Sequence, residues 1–221
     1  MADWEERAAR ARERFEDGAT RLPQGADESQ RQLTRMGNAA WAAGLSLLML
    51  GRRAEADDWL VRAAETYRRS WPDAPPGSWG RPIGAMKARL IAGDVDGGRT
   101  DARWALDAGA SASESPIGRY AAALALLVLE DDAAAAAIVP TLAGAESIPP
   151  AVTATLGALA AGDAAGYETA ISELVGDFEA RDEFLEDVPV ADTVLALQVL
   201  AAERGVVVEL TSAVLPEEEG A

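Results

Sequence analysis

Apolar residues recur three and four positions apart along most of this chain, and the recurrence breaks at nearly regular intervals. That spacing puts them on one face of a helix, which turns once in about 3.6 residues. Over residues 3–17 the charges alternate at helical spacing, with Trp4, Ala8, Ala11 and Phe15 on one side, which predicts an amphipathic first helix. The Pro and Gly of LPQGAD, Leu22 to Asp27, end it. A long helix is predicted from Glu28 to Leu50, closed by Gly51 as a C-terminal cap. Its partner runs from Ala54 to Trp71, with Ala56, Leu60, Ala63, Ala64 and Tyr67 on one face. The stretch WPDAPPGSWGRP, Trp71 to Pro82, carries too much proline to be helical throughout and is the longest predicted loop.

Three more helix pairs follow. The second spans Ile83 to Ala92 and Gly97 to Ala108, turning at Gly93-Asp94. The third spans Ile117 to Leu129 and Ala133 to Leu142, turning at Glu130-Asp131-Asp132, with Ser113 or Ser115 placed to cap its start. The fourth spans Ala151 to Ala161 and Ala165 to Asp182, turning at Gly162-Asp163. After Pro189 a last helix covers Val190 to Glu203 and ends at Arg204-Gly205; the β-branched stretch Val206 to Leu210 reads as extended. The turns at Gly51, Gly93, Asp131 and Gly162 form a ladder with steps of roughly 30 to 40 residues, the range of tetratricopeptide and related repeats. Gly44, Ala56 and Ala63 sit at the small-residue positions that let two such helices approach. The expectation is one all-α domain over residues 1–210, a compact, degenerate helix-hairpin repeat of the tetratricopeptide-like α-solenoid kind. A short extended segment closes it, and residues 211–221 are expected to be a flexible acidic tail.

Composition narrows the function. Among 221 residues there are 37 acidic and 20 basic ones, for a net charge of −17, and Lys87 is the only lysine. This excess reads as a carboxylate-rich surface suited to high salt, where ions screen the self-repulsion. It argues against nucleic acid and against anionic membranes as partners, since no basic face exists to neutralise phosphates. The absence of Cys and His removes disulfides, thiol nucleophiles, the commonest general base and the commonest zinc ligand. The first residues, MADWEERAARARERFEDG, have no apolar signal core, and the longest strongly apolar run, Ala121 to Leu129, is about half a bilayer span. A cytoplasmic location is the expectation.

Candidate chemistry is sparse. DVDGG, Asp94 to Gly98, begins like a calcium loop, but Gly98, Arg99 and Ala105 stand where the motif needs a ligand, a glycine and a bidentate glutamate. It reads better as a turn with Asp94 or Asp96 capping the next helix. Glu179, Asp182, Glu183, Glu186 and Asp187 cluster, yet neighbours on one helix face cannot straddle a substrate as a glycosidase pair must, and a solvated acidic face is the plainer reading. No G-x-S-x-G, phosphate loop or dinucleotide fingerprint occurs. The expectation is therefore a non-enzyme with no cofactor and no metal. Trp41, Trp59 and Trp104 read as core. Trp71 and Trp79 flank the Pro-rich loop, with Arg81 and Lys87 after them; these four are the candidate partner-binding residues. The alternative is that the two tryptophans brace the loop.

Three segments together resemble a known family: SWGRPIGAMKARLIAGD, Ser78 to Asp94; the Gly162-Asp163 turn with Tyr167, Ile171 and Leu174 behind it; and DTVLALQVLAAERGVVVELTSAVLP, Asp192 to Pro216. Their order and spacing are similar to the immunity protein 49 family of bacterial polymorphic-toxin systems and its halophile relatives. The resemblance implies an all-α protein that neutralises a cognate toxin by binding it, and it carries over no site residues. The leading expectation is thus a non-enzymatic protein-interaction module of the immunity kind, with a protein partner that the resemblance implies is a toxin. A peptide-binding scaffold or assembly factor, and a carboxylate-based enzyme or metal protein, are the competing readings. The sequence leaves the oligomeric state open.

Overall fold

The computed structural model of the chain describes residues 3–217. Among the described residues it is all-α, with ten helices and no strand. They are α1 (Trp4–Thr20), α2 (Ala26–Leu48), α3 (Arg53–Ser70), α4 (Gly80–Ile91), α5 (Val95–Asp107), α6 (Pro116–Val128), α7 (Asp132–Ile138), α8 (Pro150–Ala161), α9 (Ala164–Glu179) and α10 (Asp192–Glu203). From α1 to α9 each helix packs on the next one in sequence. No described helix is long and apolar enough to cross a membrane.

The turn ladder has a single physical form. At Gly51, Gly93, Glu130, Gly162 and Gly205 the backbone enters the left-handed region, with φ of 70°, 72°, 61°, 65° and 73°. At each turn the following N–H donates to the carbonyl five residues back, as Asp94 does to Arg89 (2.9 Å) and Asp163 to Ala158 (2.9 Å), so a Schellman cap absorbs the free carbonyls of the first helix. The next residue then serves the second helix. Asp94, Asp131 and Asp163 each accept the N–H three residues on, at 2.9, 3.2 and 2.9 Å, which caps α5, α7 and α9. Asp94 in DVDGG is thus a helix cap, and Ser115 caps α6 in the same way through Gly118 (3.1 Å).

Several boundaries move. Pro140 converts the last turn of the predicted Ala133–Leu142 helix into a 3₁₀ turn, Val139–Leu142. α4 begins at Gly80, inside the predicted loop, with Pro82 tolerated in its first turn. α9 stops at Glu179 rather than Asp182. Four carboxylates follow within eight residues, and negative charge opposes the dipole at a helix C-terminus. The chain instead runs as an irregular segment, 180–191, in which Phe184 folds back on Phe178 (6.3 Å between centroids).

The last helix departs from a simple linear stack. α4, α6 and α8 pack on one another as an inner layer, and α10 returns across it to lie on α4, α8 and α9. Residues 206–210 run without helix or ladder beside α10, where the Gln198 amide donates to the Val208 carbonyl (3.1 Å). The expected tail also contributes to the core. Val214 and Leu215 are buried, and the Ala191 N–H donates to the Val214 carbonyl (2.8 Å). Residues 218–221 of that tail lie outside the described residues.

Candidate functional site

The four candidate partner-binding residues separate into two groups. Trp71 and Trp79 lie against each other (5.6 Å between centroids), and Trp104 stands edge-on to Trp71 (5.5 Å, 89°). Trp79 is buried and Trp71 half-buried, so this trio braces the loop ahead of α4 against α5. Arg81 and Lys87, one and a half turns apart on α4, line a separate cavity that neither tryptophan reaches.

That cavity exists because α2 and α4 are held apart. The Tyr67 ring, from α3, fills the space between Gly37 of α2 and Gly84 of α4, so close that a Cβ on either glycine would lie 2.7 or 2.9 Å from it. Its hydroxyl donates to Asn38 (2.9 Å), and burial, reinforced by the charges of Glu186 and Asp192, pushes the phenol's pKa far up. Tyr67 is therefore a neutral spacer that turns a helix–helix seam into a cleft of about 390 Å³. Trp41 and Ile83 form apolar walls and Leu185, 55 % exposed, stands at its mouth. A second lobe of about 230 Å³ continues past Trp41, Lys87 and Asp192 toward Phe178, Arg181 and Phe184.

Lys87 is fully occupied. Its ammonium pairs with Asp192 (2.6 Å), donates to the Thr193 hydroxyl (3.0 Å) and lies 5.5 Å from the Trp41 ring centroid. Asp192 opens α10, so this pair fastens the returning helix to α4 across the cleft floor, and its carboxylate also suits the positive end of the α10 dipole.

Arg81 differs. It is only 9 % exposed, yet among the described residues no carboxylate lies within ion-pair distance. Its Nε donates to Ser70 (2.8 Å) and Thr34 (3.2 Å), and its Nη2 to Thr34 (3.0 Å) and the Gln30 carbonyl oxygen. All are neutral acceptors; the route to a carboxylate runs only through Gln30, whose amide donates to Asp27 (3.1 Å). Nη1 donates to no described residue. Burial alone pulls the guanidinium's pKa down from its ordinary value, with no nearby charge to offset it.

The rim is strained. Glu186 and Asp187 follow one another with φ of 58° each, an unfavourable conformation for non-glycine residues. Arg14 holds Glu186 by an ion pair (2.5 Å), and Arg7 donates to the Asp187 carbonyl. Of the acidic cluster singled out in the sequence, Glu179 ends α9 and the other four residues lie in the strapped 180–191 segment, not on one helix face. Trp41, Tyr67, Leu185 and Asp192 were not legible as site residues. Trp41 and Tyr67 carry the periodicity of core positions, which they also are.

No group of three or more Asp or Glu side chains among the described residues is arranged to hold a metal ion. No family model, no curated protein and no solved structure matches the chain.

Proposed function

We propose that this chain is a non-enzymatic interaction module of tetratricopeptide-like helix hairpins, and that the α2–α4 cleft is where it takes hold of a protein partner. The cleft itself carries the reading: a walled cavity with aromatic sides and one convergent cation, of the size of small-ligand and peptide sites, which begin at about 300 Å³. In a helix-hairpin solenoid the inner helices line the groove that receives partners. In that reading α10 covers α4 and α8, and the cleft opens beside α2, with Leu185 of the 180–191 segment at its mouth. The resemblance to immunity proteins supplies the partner class, a cognate toxin neutralised by binding. With a net charge of −17, the outer surface would steer a basic toxin in. A salt-rich cytoplasm is the setting we propose for this surface.

The test is affinity capture at native salt with the wild-type chain and with Leu185→Trp, which obstructs the mouth from an exposed position. A stoichiometric partner held by the wild type and lost by the variant is the expected result. A partner held equally by both would move the recognition surface away from the cleft.

A further inference from the structure

We propose that Arg81 is a carboxylate receptor: the cleft takes a monoanionic carboxylate carried on an apolar body, with the charge on Nη1 and the body between Trp41, Tyr67 and Ile83. This deepens the interaction reading above and rests on it for one of its two sources, the C-terminal residue of a partner chain. The other source is a free small acid.

The charges around the cleft lead to this assignment. Two cations and one carboxylate line it, and Asp192 is already taken by Lys87. Glu186, on the rim, is taken by Arg14. One positive charge, more than nine-tenths buried, is left without an anion in a protein whose acidic residues outnumber its basic ones by 37 to 20. A buried guanidinium with only neutral acceptors is costly to keep, whereas the other cation of the cleft, Lys87, has its carboxylate at 2.6 Å. The guanidinium is also aimed. Ser70, Thr34 and Gln30 fix its Nε and Nη2 edge, which leaves Nη1 as the free donor beside the cavity. With both forked edges engaged, Nη1 can still give a carboxylate oxygen a charge-assisted hydrogen bond, which is stronger than one between neutral groups. A phosphate would bring about two negative charges to one unmatched cation, so the single charge favours a carboxylate.

The experiment is titration calorimetry on the full chain with three probes: acetyl-Ala-Phe as the free acid, the same dipeptide as its C-terminal amide, and 3-phenylpropionate. The free-acid dipeptide is expected to bind one to one and at least about tenfold more tightly than the amide, the loss of one charge-assisted hydrogen bond. Arg81→Gln should erase that preference. Leu185→Glu, at an exposed position, places an intramolecular carboxylate at the mouth and should weaken the acid by a similar factor while the melting temperature stays put. This second variant decides the matter should Arg81→Gln fail to fold. Tight binding of 3-phenylpropionate with a weak dipeptide, both dependent on Arg81, would keep the carboxylate site and overturn the protein-partner reading of the cleft. Equal binding of acid and amide, no binding of either acid, or a preference that survives in both variants would overturn the receptor itself.

Discussion

Gly44→Ala tests a close approach of two helices, α2 and α3. Gly44 lies on α2 against α3, and a Cβ there would stand 2.7 and 2.9 Å from Cγ and Cδ2 of Leu60 and 3.2 Å from the Ala56 carbonyl oxygen. Leu60 is fully buried and cannot swing out, and a backbone carbonyl cannot move without its helix. The helices must separate, and overpacking of this kind costs about 1–3 kcal/mol. Alanine recovers about 1 kcal/mol of helix propensity over glycine. The net expectation is a destabilisation of up to about 2 kcal/mol. Gly176→Ala on α9 is the matched control, since a Cβ there meets nothing within 4 Å. It should stabilise by up to about 1 kcal/mol. Urea unfolding of both variants, followed by circular dichroism at one fixed salt concentration, measures the difference, which equals the overpacking cost of about 1–3 kcal/mol. If Gly44→Ala stabilises as much as Gly176→Ala, α2 and α3 do not pack backbone to side chain at this point, and the hairpin geometry argued here is wrong.

Three further predictions follow from single contacts. Lys87→Met strands Asp192 in a half-buried site, and the loss should reach about 3 kcal/mol, whereas Lys87→Met with Asp192→Leu recovers most of it; a double-mutant cycle by chemical denaturation would show a coupling near zero if the pair does not fasten α10 to α4. Asp101 is buried, and its desolvation raises its pKa above the ordinary 3.8 despite a hydrogen bond from Arg68 (2.7 Å) and the nearby charges of Arg68 and Arg89. The folded state then binds the proton more tightly than the unfolded chain. The associated stability is present below 3.8 and is lost as pH rises through the folded value. The stability of the wild type relative to Asp101→Asn should therefore grow on acidification through that window, and the opposite slope would mean that the two arginines outweigh burial. Glu130 occupies the left-handed turn position where the other Schellman turns have glycine. Glu130→Gly should stabilise by about 1 kcal/mol, less the small exposed ion pair to Arg99 (2.5 Å), as read from thermal unfolding.

The helices and the turns between them were legible because both are written locally. Apolar spacing marks the buried faces, and Gly-Asp pairs at 93–94 and 162–163 encode a C-cap and an N-cap in two residues. The end of α9 was misplaced because apolar period carries no information on the dipole penalty of an acidic run. The return of α10 onto α4 was not legible, since it depends on Lys87 meeting Asp192, 105 positions further along the chain. The same holds for the cleft. Nothing local distinguishes Gly37 and Gly84, which admit the Tyr67 ring, from glycines that simply bend the chain. Arg81 and Lys87 drew notice as rare cations after a Pro-rich loop. Only the fold tells them apart, giving Lys87 a counterion and leaving Arg81 without one. Trp71 and Trp79 drew notice as aromatic anchors, and the fold spends them on each other and on Trp104.

The contrast between an acidic exterior and one buried cation sets an unusual salt dependence for the proposed site. A carboxylate approaching a chain of net charge −17 is repelled over distances of the order of the Debye length, about 10 Å at 0.1 M salt and about 3 Å at 1 M. That repulsion acts through solvent and is screened. The contact with Arg81 is made inside the cleft, where screening ions have little access, so it keeps most of its strength. Raising salt then removes the opposing term faster than the favourable one, and affinity for the free-acid dipeptide should hold or rise between about 0.1 M and 1 M salt. Ordinary surface ion pairs behave the other way. Calorimetry at the two salt concentrations separates the cases: an affinity that falls several-fold would place the carboxylate on a more solvent-accessible arginine, such as the half-buried Arg181 at the second lobe, and not on the guanidinium that Ser70, Thr34 and Gln30 hold in place.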